Sequence, residues 1–340
     1  MLAKPPPVHV LAMPGVITYQ SAIDITRLNE IGQGAEGRVF EFVDDPGTVY
    51  KEYFLSSQSP PNLTALKHLS DLPAKWDRAD REWISARTAW PEAAVVDHGQ
   101  LRGYLMERVP NTFSFKHGLT KRPRQVLCDW NYLSMRNRYQ NNTKLVSEIP
   151  RPSIPQVAEL VLDLSITFEI LHRRDVVLGD ISGRNILWTN NPKWRIMLID
   201  CDGFRVRGST AINFAKQTPD WEDPEVVQSQ TTHQSDIYKL GLAAYRALWA
   251  ATTDRPPKRI GAIQVPDGAP GQIHSLISRS MLPTDRPSAE DWVKELITTP
   301  LPATTAPSPS PSKQASRQPI KARSRPVIAM RTQRHSPDKH

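Results

Sequence analysis

One stretch, from Leu171 to Phe204, constrains this chain more than any other. It opens as Leu171-His-Arg-Arg-Asp175-Val-Val-Leu-Gly-Asp180-Ile-Ser-Gly-Arg184-Asn185, with four residues between Asp180 and Asn185. An apolar run, Ile186-Leu-Trp188, follows; then Arg195-Ile-Met-Leu-Ile199 leads into Asp200-Cys-Asp202-Gly203-Phe204. Two short apolar runs of this kind read as neighbouring strands, each with a polar residue at its end. A carboxylate so placed can orient and deprotonate a hydroxyl, while an amide oxygen and a second carboxylate can hold magnesium together with phosphates. A pair of turn-forming Asp and Asn residues at strand ends would give the same letters without that chemistry.

Upstream lies Gly32-Gln-Gly34-Ala-Glu-Gly37-Arg-Val39. A dinucleotide-binding fold would continue from the third glycine into a helix. Here Val39-Phe-Glu-Phe-Val43 reads as a strand instead, so the segment is a strand-turn-strand flap whose backbone can lie close over phosphates. Taken alone, an ordinary glycine-rich hairpin explains it equally well. Lys51 follows in Val49-Tyr50-Lys51. An ammonium buried on a strand needs a counter-charge, which phosphates would supply; a lysine at a solvated strand end would need none.

The front of the chain reads as β-rich: Arg38–Val43, Thr48–Lys51, Ala93–Val96 and Gly103–Met106, with a turn at Asp45-Pro-Gly47. The back reads as helical, with apolar residues at helical spacing over Val157–His172 and Ile237–Trp249. The fold class expected is therefore α+β, a small β-rich lobe and a larger helical lobe with a cleft between them. The lobes are placed at about 21–109 and 110–299, within one domain over 21–299. Residues 1–20 are expected to be a flexible N-terminus and 300–340 a disordered tail. The proline count of 31 is about twice average usage, and many prolines lie near the ends.

The formal charge of +8 is unevenly placed. From Leu301 onward there are eight Lys and Arg residues against Asp338 alone, a net +7 that leaves about +1 for the rest. The basic tail is expected to bind an anionic partner weakly, or to be a solvated linker. With only Cys128 and Cys201, neither a disulfide framework nor a cysteine zinc site is expected, which fits a reducing cytosol. There is no long apolar signal region, and the most apolar stretch, Val157 to Leu171, is too short and too charged to span a membrane. The expected location is cytoplasmic.

Together these segments resemble the protein kinase superfamily over about residues 27–299. Asp180-x-x-x-x-Asn185 resembles the catalytic loop, and Asp200 or Asp202 the metal-binding Asp of the Asp-Phe-Gly motif. The nearby His172-Arg-Arg-Asp175 mimics the family's His-Arg-Asp but has no Asn at the right distance. The resemblance implies ATP and Mg2+ as cofactors, with Asp180 as catalytic residue and Lys51 positioning phosphates under Gly32, Gly34 and Gly37. It implies metal binding by Asn185 and Asp200, with Asp202 the alternate. Leu105-Met106-Glu107-Arg108-Val109 would be the hinge that holds adenine, with Val39 and Met106 against it. Thr218, seven residues before Glu225, resembles the end of the activation segment; Asp236 would hold the catalytic-loop backbone, and Arg286 would pair with Glu225.

Departures from the pattern are equally specific. Gly179 replaces the arginine that normally binds an activation-segment phosphate, so activity without that phosphorylation is expected. Ser182 stands where Ser/Thr kinases carry Lys, and Arg184 is the candidate to supply that charge. Thr218 favours a protein substrate with a Ser or Thr hydroxyl. The glutamate that pairs with Lys51 is not evident; Glu82 is the candidate, because the helix expected over Asn62–Leu72 has none. Residues 111–152 form a long insertion, either packed or a substrate dock. Two rivals stay open: a pseudokinase that binds ATP as a scaffold, and a small-molecule kinase.

Overall fold

The computed structural model describes residues 16–18, 28–54, 60–134, 144–212, 218–226, 230–249, 269 and 271–298. The expected tail over 300–340 lies outside the described residues. Strands β1 (Val16–Thr18), β2 (Leu28–Gln33), β3 (Gly37–Phe42), β4 (Thr48–Tyr53), β5 (Pro91–Asp97) and β6 (Gln100–Glu107) form one sheet in the order β1-β5-β6-β4-β3-β2. Only β1, which lies upstream of the expected boundary at residue 21, runs parallel to its neighbour β5 in the ladders of this sheet.

Alternation along β4 decides what faces the cleft. Val49, Lys51 and Tyr53 point one way and Tyr50 the other, because successive strand residues face opposite sides of the sheet. The registers Val39↔Lys51, Lys51↔Tyr104 and Val49↔Met106 bring Val39, Tyr104 and Met106 onto the lysine's face. That face joins the main core, whereas Tyr50, Ala93, Val95 and Leu105 make a separate cluster on the far side.

Over the inner face lies α1 (Leu63–Asp71), whose first turn is capped by Asn62 accepting from Ala65 N at 3.0 Å. It buries Leu66 and Leu69. Next comes α2 (Arg78–Ser85), whose Asp80 accepts hydrogen bonds from Arg173 and Arg174. The chain after α2 joins the strands of the second lobe: Leu198 N donates to Arg87 O and Ala89 N to Leu198 O. Helix α2 is therefore fixed to the larger lobe.

The insertion is a sheet of β7 (Ser114–Leu119), β8 (Arg124–Leu127) and β9 (Leu145–Ser147), order β8-β7-β9, followed in sequence after β8 by the short α3 (Asn131–Ser134). Trp130 roots it beneath the catalytic-loop region, its backbone N donating to Gly183 O and Ile186 O, and its ring N to Ala243 O. It is a packed insertion at its base.

The second lobe is built on α4 (Ile154–Arg173) and α5 (His233–Trp249), with α6 (Ile273–Ser280) and α7 (Ala289–Thr298) packed beside them. Two-stranded ladders of β10 (Val176–Val177) with β13 (Arg205–Val206), and of β11 (Ile186–Thr189) with β12 (Arg195–Leu198), lie between these helices and the sheet lobe. Asp163 of α4 ties the layers together. One oxygen takes the Arg87 guanidinium at 2.8 Å and the other accepts from Ile196 N at 2.9 Å. The mixed α+β architecture, β-rich first and helical after, is the expected one.

Candidate functional site

The ladder of β11 and β12, with Ile186↔Leu198, places the chain just before β11 beside the chain just after β12. Asn185 and Asp200 thus meet at one end of the ladder, and Ile199 N donates to Asn185 O at 2.9 Å. Asn185 Nδ2 donates to Asp180 O at 2.9 Å, which directs its amide oxygen to the opposite side. Asp180 is half-buried, and its Oδ1 accepts from Thr218 N at 3.2 Å and Thr218 Oγ1 at 3.1 Å.

The loop that carries Asp180 is held from below. Asp236, fully buried on α5, accepts from Leu178 N at 2.8 Å and Gly179 N at 2.9 Å, as the sequence led one to expect. Lys239, one turn on, donates to Gly179 O. Gly179 has φ +71, a conformation that an L side chain rarely adopts. A Cβ there would meet Gly203 O at 3.0 Å and Thr231 Oγ1 at 3.4 Å, with Arg205 at 3.9 Å, and Arg205 donates to Thr231 Oγ1 at 2.7 Å and to Thr231 O. Arg207 pairs with Asp175 at 3.1 Å.

Lys51 reaches this cluster from the sheet. Its Nζ lies 2.8 Å from Asp202 Oδ1 and 3.3 Å from Asp200 Oδ1. The two aspartates differ sharply in surroundings. Asp200 sits at φ +57 and its side chain is 50% exposed, whereas that of Asp202 is 3% exposed. A single 3-10 turn over Cys201–Gly203 turns the second carboxylate inward. There Asp202 Oδ1 also accepts from Tyr104 Oη at 2.9 Å. Burial pushes the Asp202 carboxyl up, but the Lys51 charge and hydrogen bonds from Lys51 and Tyr104 outweigh it and hold the group below its usual range. Burial likewise opposes the charge on Lys51, and Asp202 and Asp200 more than offset it, so the ammonium is held well above its ordinary value.

Several expected residues come together here and others do not. Asp180, Asn185, Asp200, Asp202, Lys51 and Thr218 share one site. Val39, Met106 and Val109 belong to the adjoining apolar core, on the lysine's side of the sheet for the first two. Glu107 is exposed at the end of β6. Arg184 is exposed on the loop, within electrostatic range of Asp129 rather than in contact with Asp180. Gly32 and Gly34 have open space where a side chain would go, while a Cβ at Gly37 would lie 2.1 Å from Glu52 O. Strand packing thus demands the third glycine, and the first two leave room above the cleft.

Two expectations are corrected. Glu82 is exposed and accepts from Arg78 Nε at 2.6 Å, four residues back on its own helix, so it does not reach Lys51. Arg286 pairs with Asp223, not Glu225: the guanidinium donates to both oxygens of this buried carboxylate, NH2 to Oδ1 at 2.9 Å, whereas Glu225 is exposed. Asp223 lies two residues earlier in the chain than Glu225, and its side chain is buried. Tyr53 and Tyr104 were missed altogether. The two-residue period of β4 and the register of β6 are the signal that places them beside Lys51.

Asp200, Asp202 and Glu36 of the glycine-rich turn lie within electrostatic range of Lys51, and Asp180 within range of Glu36. Desolvation and the nearby Asp202 raise the Glu36 carboxyl although the residue keeps an exposed edge. Such an excess of oxygen donors suits a hard cation. Among the described residues, no three His, Cys, Asp or Glu side chains are arranged to hold a metal by themselves.

The chain is similar to proteins named as protein kinases. Protein kinase YegI of Escherichia coli (strain K12) is 20% identical over 332 residues, covering 82% of this chain and 45% of that protein. A probable serine/threonine-protein kinase of Dictyostelium discoideum is 25% identical over 158 residues, 42% of this chain and 11% of that protein. YegI of strain O157:H7 is 20% identical over 325 residues. The chain spans less than half the length of the YegI relatives it matches. No family model matches. At this coarse level the likenesses are to the protein kinase superfamily. Among the described residues no helix is long and apolar enough to cross a membrane.

Proposed function

We propose that this chain transfers the γ-phosphate of ATP to a Ser or Thr hydroxyl of a protein. The observation that carries the reading is Asp180 itself: a half-buried carboxylate oriented by Thr218, its backbone carbonyl accepting from Asn185 Nδ2, beside the ends of β11 and β12. Asp180 aligns the acceptor hydroxyl and takes its proton. The hydroxyl oxygen forms a bond to the γ-phosphorus as the bond to the β,γ-bridging oxygen breaks, and ADP leaves. Such catalysis is mainly positioning and charge stabilisation.

Lys51 positions the phosphates, and the backbone around Gly32, Gly34 and Gly37 covers them. Val39 and Met106 offer an apolar wall to the adenine, with the backbone of Glu107 and Val109 beside it. Asn185 and the exposed carboxylate of Asp200 would hold magnesium, which when bound neutralises charge on the phosphates. Thr218 against Asp180 supports the Ser/Thr preference. Arg184, on the exposed rim of the loop, is suited to meet the substrate protein rather than the reacting atoms.

The test is a labelled-ATP assay on the purified full chain beside Asp180→Asn. The variant should bind ATP and lose transfer by about 10²–10⁴-fold, the usual worth of a general base. A variant as active as wild type would remove Asp180 from this role. A wild-type protein that binds ATP and transfers nothing would place the chain among pseudokinases.

A further inference from the structure

Resting on the reading above, we propose that Asp202 is the fixed counter-charge of Lys51, a positioning residue for the phosphate-binding ammonium and not a ligand of the metal. The two aspartates of Asp200-Cys201-Asp202 then have separate tasks: the outer one meets the ion, the inner one holds the lysine.

Three observations carry this. The first is supply. Among the described residues, the only carboxylates within ion-pair distance of Lys51 are Asp200 and Asp202. Helix α1, packed on the sheet, turns Leu66 and Leu69 inward, and the acids of α2 are committed elsewhere: Asp80 to Arg173 and Arg174, Glu82 to Arg78. A buried ammonium needs a partner, and among the described residues no helix provides it.

The second observation is access. Asp202 is 3% exposed, and its Oδ1 is already shared by Lys51 Nζ and Tyr104 Oη. Magnesium dehydrates reluctantly and keeps several waters, so its protein ligands must open onto solvent and phosphate. Asp200 does so and Asp202 does not. The remaining oxygen, Asp202 Oδ2, is buried without a hydrogen bond, as is the hydroxyl of Tyr53. A carboxylate sealed in this way depends on Lys51, its one ion-pair partner among the described residues.

The third is mechanical. Asp202 rides on the same 3-10 turn as Asp200, so one loop fixes both the lysine and the metal ligand. Helix α2 is bolted to α4, and the chain beyond it is hydrogen-bonded to β12. Lys51 therefore reaches its working position without any helix swinging in to supply an acid.

The experiment measures thermal melting of the full chain without nucleotide, for Lys51→Met alone and combined with Asp202→Asn or Asp200→Asn. Lys51→Met strands a buried charge and should lower Tm. Adding Asp202→Asn should raise Tm again, or restore a cooperative melt if Lys51→Met has none. Adding Asp200→Asn should not. The reverse ranking overturns the proposal. In parallel, binding of a fluorescent ATP analogue is titrated with magnesium. Asp200→Asn should raise the half-saturating magnesium concentration by about tenfold or more, the scale on which metal-site residues act. Asp202→Asn should leave that concentration unchanged while lowering kcat/KM for ATP by about 100-fold, because a displaced positioning group is felt that strongly. A larger magnesium shift for Asp202→Asn overturns the assignment. Should Asp202→Asn alone fail to fold, Tyr104→Phe, which removes one donor from the same oxygen, must weaken ATP binding without moving the magnesium midpoint. If wild type binds no nucleotide at all, the kinase reading fails, and the melting comparison still decides whether Asp202 is the partner of Lys51.

Discussion

The two walls of the cleft are built on opposite principles. On the sheet wall, Lys51 and Tyr104 are buried and hydrogen-bonded to the buried Asp202, with the Tyr53 ring packed against Tyr104. On the loop wall, Asp180, Arg184 and Asp200 keep part or all of their side chains in water. Both carry charge, but the cost of desolvation is met on one wall by a partner inside the protein and avoided on the other by exposure. The contrast separates groups that hold geometry from groups able to touch a ligand. It also predicts how each wall fails. A substitution on the exposed wall, Asp180→Asn among them, should change rate with little change in Tm. A substitution in a sealed pair should change stability first.

The sharpest break of that contrast uses a pair far from Lys51. Arg286 and Asp223 are each 2% exposed at the side chain, bidentate, and under the loop that carries Thr218. Asp223→Ala leaves the guanidinium buried without its carboxylate, and the expected loss is about 3–5 kcal/mol by chemical denaturation. Glu225→Ala should cost almost nothing, because Glu225 is exposed. Equal losses at 223 and 225 would show that burial does not set the cost here.

A smaller effect tests the exposed wall. Thr218→Ala removes the hydroxyl that donates to Asp180 Oδ1 while keeping the backbone N–H that donates to the same oxygen. A hydrogen bond to a charged group contributes about 1.5–3 kcal/mol, so the rate should fall about 10-fold or somewhat more. Tm should barely move. A fall in Tm with an unchanged rate would make Thr218 a packing residue of the loop and remove it from the site.

How much of this was legible beforehand follows the same division. Spacings within a few residues were readable. Asp180 and Asn185 flank one tight turn before β11, and the apolar runs around them became the β11–β12 ladder. The helix expected over Asn62–Leu72 is α1 with its Asn62 cap, and those expected over Val157–His172 and Ile237–Trp249 lie within α4 and α5. Partners chosen by direction in space were not readable. Whether Asp200 or Asp202 turns inward depends on a left-handed residue followed by one 3-10 turn, and nothing in the letters Asp-Cys-Asp fixes that. Asp223 and Glu225 are two residues apart in a turn, so spacing alone could not say which meets Arg286. The resemblance implies a helix glutamate as the partner of Lys51, and Glu82 is the residue that fits by sequence. The protein instead uses a carboxylate 151 positions away in sequence. The sheet inside the 111–152 insertion was invisible, because strands of three to six residues give too few alternations to stand out.

The smallest effect concerns acid pH and the underside of the catalytic loop. His233 stacks on His172, with ring centroids 4.1 Å apart, and its Nε2 is 3.1 Å from Val176 O, so the neutral ring donates there. Burial first, then the neighbouring His172 and Arg207, lower the His233 pKa, while Asp236 opposes them. The unfolded chain therefore binds a proton at the ordinary value near 6.5 before the folded chain does. The stability tied to this group is fully present above that pH and is lost as pH falls below it towards the folded pKa. His117, also lowered by burial, acts in the same direction, and the raised carboxylates Glu92, Glu159 and Asp129 act against it. Only a difference between proteins isolates one ring. His233→Gln keeps a donor for Val176 O and cannot titrate, so its Tm should fall less than that of wild type between about pH 7.5 and pH 5.5. Parallel slopes for the two proteins would mean that the stacked pair opens on protonation without cost, and that the loop beneath Asp180 is held by Asp236 and Lys239 alone.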